Sequence, residues 1–270
     1  DNVLRSFRKF LSQVTGTAIM CGYDLNVRAL TAELRQAARL QIVTFGLYED
    51  ATLRATDVDL TGQSPSYSVS WKGRSLGRVQ LRVPGIHNVA NSLAAVGVGL
   101  TLDIPFADIV AGLGAFTGTG RRFEKLGEAG GVLVIDDYAH HPTEIRATLA
   151  AAHGAFPDRR IVAVFQPHLP SRTRDLGEQF AESFGDADHA MLTDIFLARE
   201  QPLEGVTGAG LAALTADRRG AQHVTYVADK SQIPTRLAEI VQSGDLVLTL
   251  GAGDIRAAGE GLLARLGSDA

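Results

Sequence analysis

Apolar residues recur every three or four positions through LRSFRKFLSQV (4–14), gather in TAIMC (17–21), return to helical spacing in VRALTAELRQAA (27–38) and gather again in QIVTFG (41–46). The pattern predicts helix, strand, helix, strand, which is the grammar of an α/β layer. Between Ala51 and Val83 it changes to short alternating runs, ATLRATDVDL, SYSVSW and GRVQLRV, separated by Gly, Ser, Pro and Lys-Gly turns. These runs predict an antiparallel patch, with Trp71 packing rather than offering its ring to a ligand. Two helical patterns follow, NVANSLAAVGVGLTL (88–102) and FADIVAGLGAF (106–116), the second running into TGTG (117–120).

From Gly131 onward, strand-like and helix-like segments alternate regularly: GVLVI, RIVAVF, HAMLT, HVTYV and DLVLTL, each followed by a helical stretch. That order predicts a Rossmann-like, doubly wound parallel sheet. No internal repeat, low-complexity tract or long linker interrupts the chain. The domain boundary is therefore expected near RRFEKLG, giving residues 1–126 and 127–270. The fold class is α/β throughout, with an antiparallel β patch in the first domain.

Composition narrows the picture modestly. With 45% hydrophobic and 21% charged residues the chain can bury real cores, and disorder is not expected. No apolar run approaches the roughly 20 residues that span a bilayer, and DNVLRSFRKF lacks the basic-then-apolar order of a secretory signal, so a cytoplasmic location and no membrane partner are expected. A net charge of -4 and a pI near 6.0 give no general attraction to nucleic acid. Any anion must be held by local arginines. The single cysteine, Cys21, rules out an internal disulfide and any multi-cysteine metal site, and its neighbours Ala18, Ile19 and Met20 predict a buried structural thiol.

The lysines are Lys9, Lys72, Lys125 and Lys230, and none follows a Gly-rich loop. A P-loop needs its lysine directly after GxxxxG to reach the β and γ phosphates, so these residues contain none. The first residue falls in an apparently helical segment, which leads to the expectation that the chain begins inside a larger protein.

Five segments concentrate groups capable of chemistry. DDYAHHPTE (136–144) crowds Asp136, Asp137, Tyr138, His140, His141 and Glu144 behind the strand GVLVI, with Pro142 suited to the first turn of the helix IRATLAAAHGAF. The carboxyl edge of a parallel sheet is where ligands collect, although Asp and His are also ordinary turn and cap residues. PGIHNVANSL (84–93) sets His87, Asn88 and Asn91 at a helix start, Asn88 and Asn91 on one face. Their amides suit the edge of a purine, or simply cap the helix. GTGRRFE (118–124) places Arg121 and Arg122 after glycines; one guanidinium could act on a phosphoryl group while the other is structural. FQPHLPSRTRDL (165–176) brings His168, Arg172 and Arg174 to the same predicted sheet edge, with Arg174 expected to point away into structure. GAGDI (251–255) offers a tight turn, with Asp254 resembling an N-cap. Adjacent histidines diverge and no HxH or HxxxH spacing occurs, so no metal site is expected from His140, His141 and His168.

Taken in order and at these separations, GIHNVANSLAA, GTGRRFE, DDYAHHPTE, FQPHLPSRTRDL and GAGDI resemble the Mur ligase family over essentially the whole chain. The resemblance implies the later part of a central ATP-binding domain, without its P-loop, followed by a complete C-terminal domain. It implies an ATP-dependent, ADP-forming amide ligation in peptidoglycan synthesis, in which the lactyl carboxylate of UDP-N-acetylmuramate becomes an acyl phosphate and is attacked by L-alanine. ATP and Mg2+ are the implied cofactors, with the magnesium ligands, the P-loop and the UDP-binding domain upstream. Carried over residue by residue, His87, Asn88 and Asn91 belong to the adenine side, Arg122 reaches the phosphates and Asp137 accepts from the ribose. Tyr138, His140, His168 and Arg172 approach the amino acid, and Arg122 and His140 are the residues expected to act in the chemistry.

One departure stands out. Where the family carries an arginine after QPH, this sequence has Leu169-Pro170, so Arg172 is expected to neutralise the amino-acid carboxylate and Leu169→Arg to strengthen that site. Two alternatives stay open: a murein tripeptide recycling ligase of the same family, and a non-catalytic nucleotide- or anion-binding module.

Overall fold

A computed structural model describes residues 2–36 and 40–268, and the backbone divides into two compact units, 1–117 and 118–270. The division falls nine residues before the expected boundary at 126/127, because RRFEKLG is already part of the second unit. Its residues enter a strand, Glu124–Ala129, that pairs antiparallel with Val132–Asp137 through contacts such as Glu124↔Asp136.

The first unit opens with α1 (Asn2–Leu11), β1 (Thr17–Cys21), α2 (Leu25–Gln36) and β2 (Gln41–Gly46), as the periodicity predicts. Ala37 and Ala38, the expected end of the second helix, and Asp1 lie outside the described residues. β3 (Leu53–Asp59), β4 (Ser66–Trp71) and β5 (Arg74–Gln80) complete a five-stranded sheet in the order β1-β2-β3-β4-β5. β1, β2 and β3 run parallel, and β3-β4-β5 form the antiparallel patch. Trp71 packs against the core of this sheet, with Lys72 over its ring at 5.1 Å. Cys21 is half-buried rather than buried, because it ends the outermost strand β1. α3 (Ile86–Thr101) and α4 (Phe106–Ala115) follow.

In the second unit β6 (Glu124–Ala129) and β7 (Val132–Asp137) lead into α5 (Pro142–Ala155), β8 (Ile161–Phe165), α6 (Pro170–Ala181) and β9 (His189–Leu192). The chain continues through α7 (Gly208–Arg219), β10 (Val224–Tyr226), α8 (Ile233–Ile240), β11 (Leu246–Leu250) and α9 (Arg256–Ser268). The sheet order is β10-β9-β8-β11-β7-β6, parallel except for β6. β6 escaped the sequence reading because EKLGEA is polar and carries a bulge between Lys125 and Gly127.

The central strands are apolar on both sides because helices cover both faces. Leu133, Ile135, Ile161, Ala163, Phe165, Leu246 and Leu248 point to one core, and Val132, Val134, Val162, Val164 and Val247 to the other. This period of two fixes the register, since a one-residue slip would exchange the two cores. Insertion of β11 between β7 and β8 has a further consequence: the loops after β7, β8 and β11 emerge side by side at the carboxyl edge. No helix among the described residues is long and apolar enough to cross a membrane.

Candidate functional site

In the first unit, Gly85 turns the chain into α3 with φ 100, a conformation that disfavours any side chain. Val89, Ser92, Leu93 and Val96 then face the core, and Ser92 Oγ shares a 2.6 Å hydrogen bond with the buried Tyr67 hydroxyl, whose pKa burial pushes up to about 12. That anchoring sets the rotation of α3 and leaves Asn91 exposed, with His87 and Asn88 half-buried on the first turn. Asn88 Nδ2 donates to Pro84 O at 2.7 Å, which holds the side chain in place and leaves its Oδ1 available as an acceptor.

In the second unit the adjacent arginines have separate fates. Arg121, in the left-handed region at φ 59, donates from Nε to Asp136 Oδ2 at 3.0 Å and from its two terminal nitrogens to Gly253 O at 2.9 Å and Gly251 O at 2.7 Å. Asp136 is fully buried and also accepts from Thr249 Oγ1 at 2.7 Å. Arg121 is therefore a staple between β7 and the turn after β11. Arg122 instead keeps its side chain 53% exposed, with a long 4.0 Å approach to Glu144 Oε1. The two guanidiniums lie 4.9 and 5.6 Å from the Tyr138 ring.

Asp137 is buried, accepting from Phe123 N and Ala139 N, each at 2.8 Å. Burial pushes its carboxyl above the ordinary value, while those amides and the Arg122 charge pull it back. The carboxylate pins the Arg122 turn to the end of β7, a structural duty beyond the ribose contact expected of it.

His141 is the N-cap of α5, accepting from Thr143 N at 3.2 Å, and Pro142 opens the helix. Glu144 Oε2 reaches back to the amides of His140 at 2.9 Å and His141 at 3.2 Å, completing a capping box. His140 Nδ1 lies 2.9 Å from Tyr138 O and 3.3 Å from Glu144 Oε2. Both partners only accept, so Nδ1 carries a proton, and in the neutral ring the lone pair is on Nε2.

The His140 and His168 rings stand edge to face at 6.1 Å, bringing the loops after β7 and β8 together. His168 stacks on Phe196 at 5.6 Å and 14°, and Leu169 N and Phe196 N bond to Phe196 O and Pro167 O at 3.0 and 2.8 Å. Burial, followed by the Arg172, His140 and Arg199 charges, lowers the His168 pKa, so the ring is neutral at physiological pH. His168 Nδ1 and Arg172 Nη1 are buried and have no hydrogen-bond partner among the described residues. Glu200 receives Ser171 N at 2.9 Å and Ser171 Oγ at 2.6 Å, and these bonds hold its carboxyl below the usual range. Arg174 does not point into structure: it pairs in solvent with Asp175 at 2.8 Å.

Leu169 is 6% exposed and adopts φ 71 and ψ 120 before α6. An arginine there would have to abandon a buried position on an already strained backbone, which removes the basis for expecting Leu169→Arg to help. Asp254 is held by Gln166 Nε2 at 3.1 Å and by Lys230, with its own amide donating to Gln166 Oε1 at 3.1 Å; α9 begins two residues later.

Arg122, Tyr138, His140, His168 and Arg172 thus share the carboxyl edge of the second sheet. A structural role for one of the two arginines was expected, but the sequence did not show which groups Arg121 staples, nor Glu144 as the cap partner of His140, nor Phe196 and Glu200. The HPTE spacing could have revealed Glu144 as a capping residue. Phe196 and Glu200 carry no local signal, because they act across 28 and 29 residues from the loop after β9.

Family profiles described as Mur ligase middle domain and as Mur ligase, glutamate ligase domain match residues 1–99 and 121–253. The UDP-N-acetylmuramate–L-alanine ligase of Salinibacter ruber is 49% identical over 266 residues, covering 98% of this chain and 55% of that protein. That of Geobacter sulfurreducens is 45% identical over 268 residues, 98% of this chain and 57% of that protein. The chain therefore spans little more than half the length of these relatives. Among solved structures, a UDP-N-acetylmuramate–alanine ligase from Thermotoga maritima aligns with TM-score 0.73 at 24% identity, covering 92% of this chain and 56% of that one. A murein peptide ligase from Psychrobacter arcticus aligns with TM-score 0.66, also at 24% identity, covering 98% and 54%. These structural likenesses show the shared fold, while the two profiles together account for most of the sequence: the chain belongs to the Mur ligase family.

Proposed function

We propose that the full-length protein containing these residues joins L-alanine to the lactyl carboxylate of UDP-N-acetylmuramate in peptidoglycan synthesis, releasing ADP and phosphate, in the cytoplasm where ATP is available. The observation that carries this reading is a pair of buried side-chain nitrogens, His168 Nδ1 and the donor Arg172 Nη1, that have no hydrogen-bond partner among the described residues, beside a histidine that presents Nε2. A carboxylate answers the first feature and an amine proton the second, and an amino acid presents both.

In this reading ATP supplies the phosphoryl group that turns the sugar carboxylate into an acyl phosphate. His87, Asn88 and Asn91 serve the adenine and Asp137 the ribose. The exposed Arg122 neutralises charge on the phosphoryl group as it transfers. Tyr138, fixed by Arg121, lines the acceptor side. Arg172 and His168 hold the amino-acid carboxylate, and His140 Nε2 takes the proton that the attacking ammonium must lose. Mg2+ would accompany the ATP phosphates. Its protein ligands belong, in this reading and by the family resemblance, to the segment upstream of these residues.

The relatives support L-alanine and UDP-N-acetylmuramate as substrates, and the QPH…RTRDL segment supports them over the recycling ligase. The deciding assay is phosphate release by the full-length enzyme with ATP, UDP-N-acetylmuramate and L-alanine. Dependence on all three is expected. Turnover with a murein tripeptide in place of L-alanine would favour the recycling ligase, and nucleotide binding without turnover a non-catalytic module.

A further inference from the structure

The proton that leaves the amine must be accepted by a ring held in one tautomer, and beside the Tyr138 carbonyl that receives Nδ1 stands one carboxylate able to balance the charge the ring gains. Glu144 sits in the first turn of α5, where Ile145 and Leu149 are fully buried and the helix N-terminus favours a negative charge. Its Oε2 receives the His140 and His141 amides and approaches His140 Nδ1, while Oε1 faces Arg122. The carboxylate is thus built into a rigid element and addresses both residues assigned to the chemistry.

We propose that Glu144 is the positioning residue of the amide-forming step, holding His140 with its proton on Nδ1 so that Nε2 is presented to the attacking amine. The inference rests on the proposed ligase reaction. In the step, the ammonium gives one proton to Nε2, and the freed lone pair forms the C–N bond at the acyl carbon. The C–O bond to phosphate breaks, and the phosphate that leaves takes the second amine proton, so that a neutral amide remains. The imidazolium then keeps its Nδ1 proton between Tyr138 O and the Glu144 carboxylate, where the new positive charge is balanced as it appears. Tyr138 O alone could fix the tautomer, but only the carboxylate supplies an opposing charge.

The test compares two nucleophiles in the full-length enzyme: L-alanine, which must be deprotonated, and hydroxylamine, which is largely uncharged near neutral pH. Glu144→Gln keeps an acceptor oxygen for the two helix amides and removes the charge. It should lower kcat with L-alanine roughly tenfold or more, part of the about 10²–10⁴ that a positioned base provides. Phosphate release with hydroxylamine and the ATP KM should stay within about twofold of the parent. Equal losses with both nucleophiles, or none with either, would overturn the assignment. A second measurement is independent of activity: long-range 1H–15N spectra of the 270-residue chain should show neutral His140 protonated at Nδ1, and an Nε2–H tautomer would also overturn it. A parent enzyme inactive with all three substrates would instead remove the ligase reading, leaving the tautomer to be judged by the spectra.

Discussion

Arg121 Nε and the buried Asp136 carboxylate form a 3.0 Å ion pair at the end of β7, while the next residue, Arg122, keeps a half-exposed guanidinium. Removing one partner of a buried pair strands the other, at a cost of about 3–5 kcal/mol. Arg121→Ala should therefore lower the urea midpoint of the chain substantially, and activity should fall because the fold is lost.

Arg122→Ala should leave that midpoint nearly unchanged, since its one ion-pair contact among the described residues is 4.0 Å long and solvated. In the full-length enzyme it should lower kcat by about 10³-fold or more with little change in ATP affinity, as for other arginines acting on phosphoryl transfer. Unchanged turnover in Arg122→Ala would remove the residue from the phosphoryl site.

For Arg172, a buried guanidinium nitrogen without a partner is expected to be completed by the amino-acid carboxylate. Losing one member of a desolvated charge pair costs about 2–5 kcal/mol, so Arg172→Ala should raise the L-alanine KM about tenfold or more. The constants for ATP and UDP-N-acetylmuramate should move little. Steady-state kinetics with each substrate varied in turn checks this.

The pH dependence of stability should report His168. Its folded pKa is depressed by burial and by Arg172, His140 and Arg199, with Glu200 opposing, whereas the unfolded imidazole titrates near about 6.5. Below that value the unfolded state binds more protons, so stability falls as the pH drops towards the folded value and is level above it. His189 is depressed in the same direction. His168→Gln should therefore flatten part of the decline in urea midpoint between about pH 7 and about pH 5, and an unchanged slope would contradict the assignment.

At the turn after β11, a Cβ on Gly253 would stand 2.2 Å from Gln166 Oε1 and 2.9 Å from the Phe196 ring. Gly253→Ala must displace the Gln166–Asp254 pair and should cost about 1–3 kcal/mol, as overpacking typically does. Gly244, with nothing near its Cβ position, has φ 98, so its substitution tests backbone strain alone. Equilibrium denaturation of both alanine variants separates the two effects.

Much of the fold was legible because apolar periodicity is set by burial. GVLVI, RIVAVF and DLVLTL are buried on both faces, so their apolar runs announced central strands without any knowledge of their neighbours. β6 was not legible because a polar, bulged edge strand owes its existence to pairing with β7. Three of the segments with chemical groups, DDYAHHPTE, FQPHLPSRTRDL and GAGDI, were also legible as one group, since loops that follow neighbouring parallel strands share one edge of the sheet.

The division of labour among those groups was a different matter. Spacing alone left Arg121 and Arg122, and Asp136 and Asp137, undistinguished, and only the family resemblance singled out Arg122 and Asp137. Only the folded backbone turned Arg121 onto Asp136 and the Gly251 and Gly253 carbonyls, left Arg122 in solvent, and gave Asp137 to the amides of Phe123 and Ala139. The apparent loss of a cation at Leu169 likewise acquired its physical meaning from a buried side chain on a positive-φ backbone. By itself the sequence determined which residue types reach the carboxyl edge of the second sheet, because that follows from local periodicity and chain order. Which of them are spent on holding the loops and which remain free for a ligand was decided by tertiary structure, since hydrogen bonds between segments 14 to 132 residues apart leave no local pattern to read.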